Sequence, residues 1–442
     1  MHNLLSLGRL LRRKVHLLAL ALLVSIFVGS VYVSHHHFPS FPLHHVGKAP
    51  TVEQEPNNAS ASPSPVSVEA PSGGNALTED VVAIHLDQIL GDRQTPLPTL
   101  ACPAFSGERY ASLKADGPGL RYYFALDLRN SLSILPQLLG SIVEAIKFLG
   151  STSCALSIVE GNSNDGTPDV LSALRPQLEM RGIRYFLQAS SIDPSNGDRI
   201  PKLAQLRNLA LEPLLQRWNQ VKPSSETAII FVNDVVLCPD DILELVLQRG
   251  RLNATMTCAM DWTYVGHDPT FYDVWVARTI QGDSFFDIPA DGNWNSAWNL
   301  LWNADEDIRS RFYSNRPFPV FSCWNGAVVF GATVVLEHGL RFRGAKADSG
   351  ECTQGEPQLF CKDLWFRGLG KIAVVPTVNL EYSVERGRQI KAAKGFTVAN
   401  VAAAAGNVDE DDTITWRPPP DMVKCMPTWD NQFWQSWNET LA

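Results

Sequence analysis

Two short stretches carry polar residues where a sheet could present them to a ligand. The first is Phe231-Val232-Asn233-Asp234-Val235, in which an acid closely follows the almost wholly apolar run Ala228–Val232. A carboxylate placed there is held rigidly at the edge of a sheet. Its hard oxygen atoms suit Mg²⁺ or Mn²⁺, ions that keep waters and substrate phosphates in their shell. Asp234 is therefore a candidate ligand for a metal carrying a diphosphate. The competing reading has it cap the turn before a helix that opens at Pro239-Asp240-Asp241. The second stretch is Val159-Glu160 followed by Gly161-Asn162-Ser163-Asn164-Asp165-Gly166-Thr167. An acid and a small polar loop opening a helix can accept the ribose or ring nitrogens of a nucleotide. Glu160 would be the acceptor, with Asp165 a further candidate in the loop. An ordinary strand-to-helix loop would use Asp165 or Thr167 only as a cap.

The surrounding pattern supplies the elements that must hold these residues. Strands are predicted at Tyr122–Leu128, 156–160, 185–188 and 228–232. Helices are predicted at Leu135–Leu149, 169–179 and 201–215, the last containing Lys202, Arg207 and Asn208. Alternating strands and helices imply an α/β fold with a mostly parallel sheet flanked by helices. In open sheets of that kind, ligands sit beyond the carboxyl ends of the strands, where both polar stretches fall.

The chain has 442 residues and a net charge of −9, and its four most N-terminal cations (Arg9, Arg12, Arg13 and Lys14) leave the rest more acidic still. An acidic body is a poor counterion for nucleic acid, so that class of partner is excluded. Residues 15–33 contain no full charge; as a helix they span about 28 Å, close to a bilayer's hydrocarbon thickness. With the cations on the N-terminal side, the positive-inside rule predicts a cytosolic tail (1–14), a signal-anchor (15–33) and a single-pass type II protein. A cleaved signal peptide is the alternative. Residues 34–99 are rich in Pro, Ser, Ala and His and read as a disordered stem, with a folded luminal body at 100–442. Residues 402–412, small and acidic, read as a loop. All eight Cys lie beyond residue 100 without a C-x-x-C pair, favouring disulfides in an oxidising lumen over a zinc site. Three N-x-S/T triplets, at Asn58, Asn253 and Asn438, fit that compartment.

Taken together, these segments resemble the fungal capsule-associated α-1,3-mannosyltransferase family, glycosyltransferase family sixty-nine. The resemblance is carried by Ile158–Thr167, Lys202–Asn208, Phe231–Val235, Phe271–Arg278, Cys323-Trp324-Asn325-Gly326 and Leu359–Trp365. These six segments, in order, cover roughly residues 120 to 385. The resemblance implies a GT-A, Rossmann-like domain in the Golgi or ER membrane system, its catalytic part luminal. The implied reaction is retaining transfer of mannose from GDP-mannose to a glycan acceptor, forming an α-1,3 linkage in fungal glycan, capsule or cell-wall synthesis. Asn233-Asp234 would stand where many GT-A enzymes have Asp-x-Asp, with Asp234 on the metal (Mn²⁺ or Mg²⁺) and diphosphate. Glu160 would lie near the base, Arg207 would support the donor pocket and Lys202 would approach phosphate. Glu356 is the acid of Gly355-Glu356-Pro357, where the family often has Ser-Glu-Cys. It and Asp363 would act at the reacting centre.

Other residues have two readings. Trp324 and Asn325, beside Gly326, are candidates for acceptor binding. Asp273 and Arg278 either touch substrate or form an internal ion pair. Trp294, Trp298 and Trp302 recur at four-residue spacing, as on one face of a helix, either packed in the core or facing a sugar. Two alternatives remain at this level: the same fold using another nucleotide-sugar donor, or a non-catalytic glycan-binding or export-assisting membrane protein.

Overall fold

The computed structural model of the chain describes residues 76–439 apart from 92–96, 116, 118 and 406–412. The predicted cytosolic tail, the anchor at 15–33 and most of the stem lie outside the described residues. Among those described, no helix is long and apolar enough to cross a membrane.

Among the described residues, ten strands make one sheet: β1 (Tyr122–Leu128), β2 (Cys154–Glu160), β3 (Arg184–Ala189), β4 (Ala228–Val232), β5 (Met256–Val265), β6 (Asp268–Phe271), β7 (Arg278–Thr279), β8 (Phe318–Ser322), β9 (Ala327–Gly331) and β10 (Ile372–Leu380). Their order is β3-β2-β1-β4-β9-β5-β10-β8-β7, with β6 paired to β5. The half β3-β2-β1-β4 is wholly parallel, and the half built on β9 is mixed. A small hairpin, β11 (Met422–Cys425) with β12 (Phe433–Ser436), stands apart.

The parallel half follows from sequence alternation. In β1, Tyr123 and Ala125 enter one apolar layer, and Tyr122, Phe124 and Leu126 enter the other. Strands buried on both faces read as near-continuous apolar runs, as β1, β2 and β4 do. One face is covered by helices α2 (Leu135–Leu149), α3 (Thr167–Met180) and α5 (Pro239–Arg251), the other by α4 (Arg199–Gln216). The capping reading of Asp234 fails here. Helix α5 is capped by Asp241, whose Oδ2 accepts the Cys238 amide at 2.7 Å.

Three readings change. Helix α1 (Glu79–Leu90) occupies part of the segment expected as stem; Ile89 and Leu90 are buried, and Lys147 Nζ donates to Leu90 O at 2.7 Å. Those apolar residues have a partner surface on α2 that composition cannot reveal. Residues Ala402–Ala405 of the expected acidic loop are the end of a helix, Thr397–Ala405. The tryptophan-bearing segment is not a helix but a series of turns with one 3₁₀ turn at Ala297–Asn299. The side chains of Asp291 and Asn293 accept the amides of Asn293 and Asn295, local bonds that compete with helix formation. Trp302 is buried against Phe285, Phe312 and Phe318, Trp294 packs edge-on against Trp429, and Trp298 is exposed.

Three disulfides form, Cys102–Cys238, Cys258–Cys323 and Cys352–Cys425; Cys154 and Cys361 are free and buried.

Candidate active site

Strand order reverses between β1 and β4, and a crevice is expected outside their carboxyl ends. A cavity of about 670 Å³ lies there, large enough for a nucleotide sugar. Its lining draws on the ends of β1 (Asp127, Leu128), β2 (Val159, Gly161) and β4 (Asn233, Asp234), on α4, and on the start of the helix Glu356–Phe366.

Asp234 faces this cavity for a local reason. Phe231 and Val232 are buried, and the Asn233 amide donates to Gly326 O at 2.9 Å. Val235 and Val236 re-enter the core, and the Val236 amide pairs with Glu381 O at 2.7 Å. The chain thus dips, and the one residue between these anchors is turned outward. Asp234 is exposed and, among the described residues, its carboxylate has no ion pair. The cavity walls still strip enough water from it to raise its pKa, against the pull of its own backbone amide and of Arg207.

Asn233 behaves differently. Its Oδ1 accepts from Arg207 Nη1 at 3.2 Å and from Trp324 Nε1 at 2.9 Å. The guanidinium of Arg207 lies 4.6 Å from the Trp324 ring, donates through Nε to Glu356 Oε1 at 2.9 Å, and has Nη1 3.8 Å from Asp127 Oδ1. One buried cation therefore ties together the ends of β1 and β4 and the acid from Glu356–Phe366. Burial pushes Asp127 up to about 6; Arg207 opposes this, and Asp234 and Glu356 add to it. Asp273, whose Oδ2 accepts the Asn325 amide at 2.9 Å, is likewise raised to about 6 by burial, with the Asn325 amide and Arg207 opposing.

Asp234, Asn233, Arg207, Glu356, Asp273 and Trp324 all line the cavity. Trp324 is 1% exposed, so its ring supports Arg207 and leaves little face for a sugar. Asn325 is wholly buried, with Nδ2 donating to Ala259 O at 2.8 Å, and it positions Asp273 through its backbone. Its φ of 53° and the 82° of Gly326 make the tight turn that brings β9 beside Asn233. Glu160 accepts the amides of Asn162 and Ser163 at 3.1 and 2.8 Å, so it shapes the loop whose Gly161 lines the cavity.

Four candidates are corrected. Asp165 is a structural cap: it accepts Leu132 N and Thr167 N, both at 3.0 Å. Lys202 bonds Asp193 O at 3.1 Å and also Asn196 O, closing a neighbouring loop. Arg278 is buried and donates to the carbonyls of Lys424, Val274 and Ala277, with no direct bond to Asp273. Asp363 lies outside the cavity lining, paired with Arg343 at 2.7 Å. On the Glu356–Phe366 helix only the first turn reaches the cleft, and Asp363 comes two turns later.

The sequence reading missed Asp127, although it stands at the end of a predicted strand, the same signal that singled out Asp234. It also missed Arg199, exposed at the start of α4 and lining the cavity, and the aromatic residues Tyr272, Trp275 and Tyr382. The disulfide Cys352–Cys425 joins two lining segments, Thr353–Pro357 and Met426-Pro427.

No group of three or more His, Cys, Asp or Glu among the described residues is arranged to hold a metal ion unaided. A lone unpaired carboxylate in an open cleft does fit an ion shared with substrate phosphates, which brings most of its own oxygen ligands.

A profile of the family described as Cryptococcal mannosyltransferase 1 matches residues 121–363. The chain belongs to this family. It is an enzyme of the mannosyltransferase class, and the non-catalytic alternative is set aside. The chain is 35% identical over 379 residues to alpha-1,3-mannosyltransferase CMT1 of Cryptococcus neoformans var. neoformans serotype D, covering 80% of this chain and 78% of the relative. Among solved structures, the mannosyltransferase PcManGT of Pyrobaculum calidifontis, in complex with GDP-Man and Mn²⁺, gives a TM-score of 0.34 at 12% identity, covering 75% of this chain and 86% of that one. The S. aureus protein TarS (1–349) gives 0.34 at 12% identity, covering 64% and 71%. Likenesses this distant define no function.

Proposed function

We propose that this enzyme moves mannose from GDP-mannose to the 3-hydroxyl of a mannoside, with retention, on a GT-A-type domain. The observation that carries this reading is Asp234, the unpaired carboxylate at the switch point of the sheet. Family membership and a relative that bears the name of this activity add support. Asp234 would hold Mn²⁺ or Mg²⁺ together with the donor diphosphate; when bound, the ion neutralises charge on that leaving group.

The chain's own residues do the rest. Arg199, free of any ion pair among the described residues, offers a cation to the diphosphate from the start of α4. Arg207 is committed to Glu356 and Asn233, so it orients the cleft walls and does not travel with substrate. The carboxylates of Asp127, Asp273 and Glu356 face the cationic character that develops on the sugar as its bond to the diphosphate breaks. The acceptor oxygen forms the new bond to the anomeric carbon from the side the diphosphate leaves, and its proton passes to the departing phosphate oxygen.

The anchor at 15–33, with the enzyme domain on the luminal side of the Golgi or ER membrane, belongs to the same proposal. Three disulfides in the domain support an oxidising compartment. Retention of the full-length chain in alkaline-extracted membranes tests the anchor, and its release overturns it. For the activity, the full chain is supplied with GDP- and UDP-linked sugars, a mannoside, and Mn²⁺ or chelator. Metal-dependent release of GDP from GDP-mannose with formation of a 1,3-linked product is the expected result. Turnover of a UDP-sugar in its place overturns the donor assignment.

A further inference from the structure

Of the large aromatic side chains, Trp262, Trp302 and Trp324 are almost wholly buried, whereas Trp275 leaves 36% of its surface exposed and lines the catalytic cavity. An indole left facing solvent in a cleft forgoes the stabilisation of burial, so its surroundings bear on what covers it. Trp275 is braced from behind. Its ring lies 4.0 Å from that of Trp429, which meets Trp294 edge-on at 5.2 Å, and Trp294 in turn meets Phe286 edge-on at 5.9 Å. Trp429 is fixed on other sides as well. Gln432 Nε2 holds its carbonyl at 2.7 Å, and a Cβ on Gly292 would stand 3.6 Å from its ring. The exposed face is therefore a rigid apolar plate.

The flanks of that plate are polar in one particular way. Two residues earlier, Asp273 lines the same cavity, fixed by the Asn325 amide. In the same turn Tyr272 is 46% exposed and packs 4.7 Å from Tyr382, whose hydroxyl is tied to Asp261 at 2.6 Å. The cleft's acids (Asp127, Asp234, Asp273 and Glu356) are met by three arginines, of which Arg207 is tied to Glu356 and Arg129 to Asp193, and the charged residue beside the plate in the chain is Asp273. A neutral polyol with one apolar face matches both features: its C–H face covers the indole, and its hydroxyls donate to carboxylate.

We propose that Trp275, braced by Trp429, is the platform on which the acceptor mannoside packs, with Asp273 receiving its hydroxyls. This deepens the mannosyl-transfer reading and rests on it. Trp275 positions the acceptor sugar and leaves the donor diphosphate to Asp234 and Arg199, which line the same cavity.

The test is acceptor kinetics on the full chain at saturating GDP-mannose, with a methyl α-mannoside or α-mannobiose as acceptor. Trp275→Ala is expected to raise the acceptor KM at least tenfold, and Trp275→Phe to recover most of that loss, because a ring face is restored. An acceptor KM within twofold of the parent overturns the proposal. So does a loss confined to the KM for GDP-mannose, which would put the ring in the donor site. A parent enzyme that releases no GDP sinks the transfer reading itself. In that case titration of the same mannosides, followed by tryptophan fluorescence, still decides the platform: binding lost in Trp275→Ala upholds it, and equal binding or none in the parent overturns it.

Discussion

Arg207 and Glu356, 149 residues apart in sequence, meet through a 2.9 Å bond from Nε to Oε1, and both are buried. The same guanidinium touches Asn233, approaches Asp127 and lies over Trp324, so it joins α4, β1, β4 and the helix opened by Glu356. The cleft keeps its shape because one cation answers several acids from different parts of the chain.

Removing that cation leaves Glu356 buried without its charged partner. Arg207→Ala is expected to destabilise the fold by about 3–5 kcal/mol, measured by denaturant unfolding. Arg207→Lys should recover only part, since an ammonium cannot serve Glu356 and Asn233 through a planar fork.

Asp234 supports no neighbour, so Asp234→Asn should melt within a degree or two of the parent. Its kcat/KM should nonetheless fall by about 100-fold or more, the scale for losing charge stabilisation at a leaving group. Equal melting with equal turnover would refute the role given to this carboxylate.

Arg199 is expected to act on the donor alone. A charge-assisted hydrogen bond to phosphate contributes about 1.5–3 kcal/mol, so Arg199→Ala should raise the KM for GDP-mannose about tenfold or more. The acceptor KM and the melting temperature should stay near those of the parent.

Asp127 and Asp273 hold their protons up to about pH 6, whereas in an unfolded chain they lose them near 4. Between those values the folded state binds more protons, so stability from these two groups is present below pH 4 and lost as pH rises through 6. Activity should run the opposite way, rising with an acid limb near 6 as the carboxylates ionise. Asp127→Asn should flatten the dependence of melting temperature on pH between 4 and 6.

The bond Cys352–Cys425 ties together two walls of the cavity. Cys352→Ser is expected to cost about 2–4 kcal/mol, read from unfolding curves. GDP release should fall in parallel, because Thr353–Pro357 carries Glu356 to the cleft.

The parallel half of the sheet was legible in the sequence, strand by strand from Tyr122 to Val232, because each run records its own local burial. Asp234 could be singled out for the same reason: a polar residue just beyond a buried strand has few places to go. The order of six short segments sufficed to suggest the family. Which acids share a cleft was not legible. Asp363 and Glu356 sit on one helix, yet only the first turn of that helix reaches the cavity, and Arg343 takes up the other acid. Lys202 and Arg199 are three residues apart, yet Lys202 turns back to the carbonyls of Asp193 and Asn196 and closes a loop, whereas Arg199 faces the cavity. The four-residue spacing of Trp294, Trp298 and Trp302 imitated a helix until side-chain bonds from Asp291 and Asn293 broke it into turns. Periodicity is a property of neighbours along the chain. Pairing of charges, and the direction in which a side chain points, depend on which other segments fold against it, 20 residues away for Asp363 and Arg343 and 149 for Arg207 and Glu356.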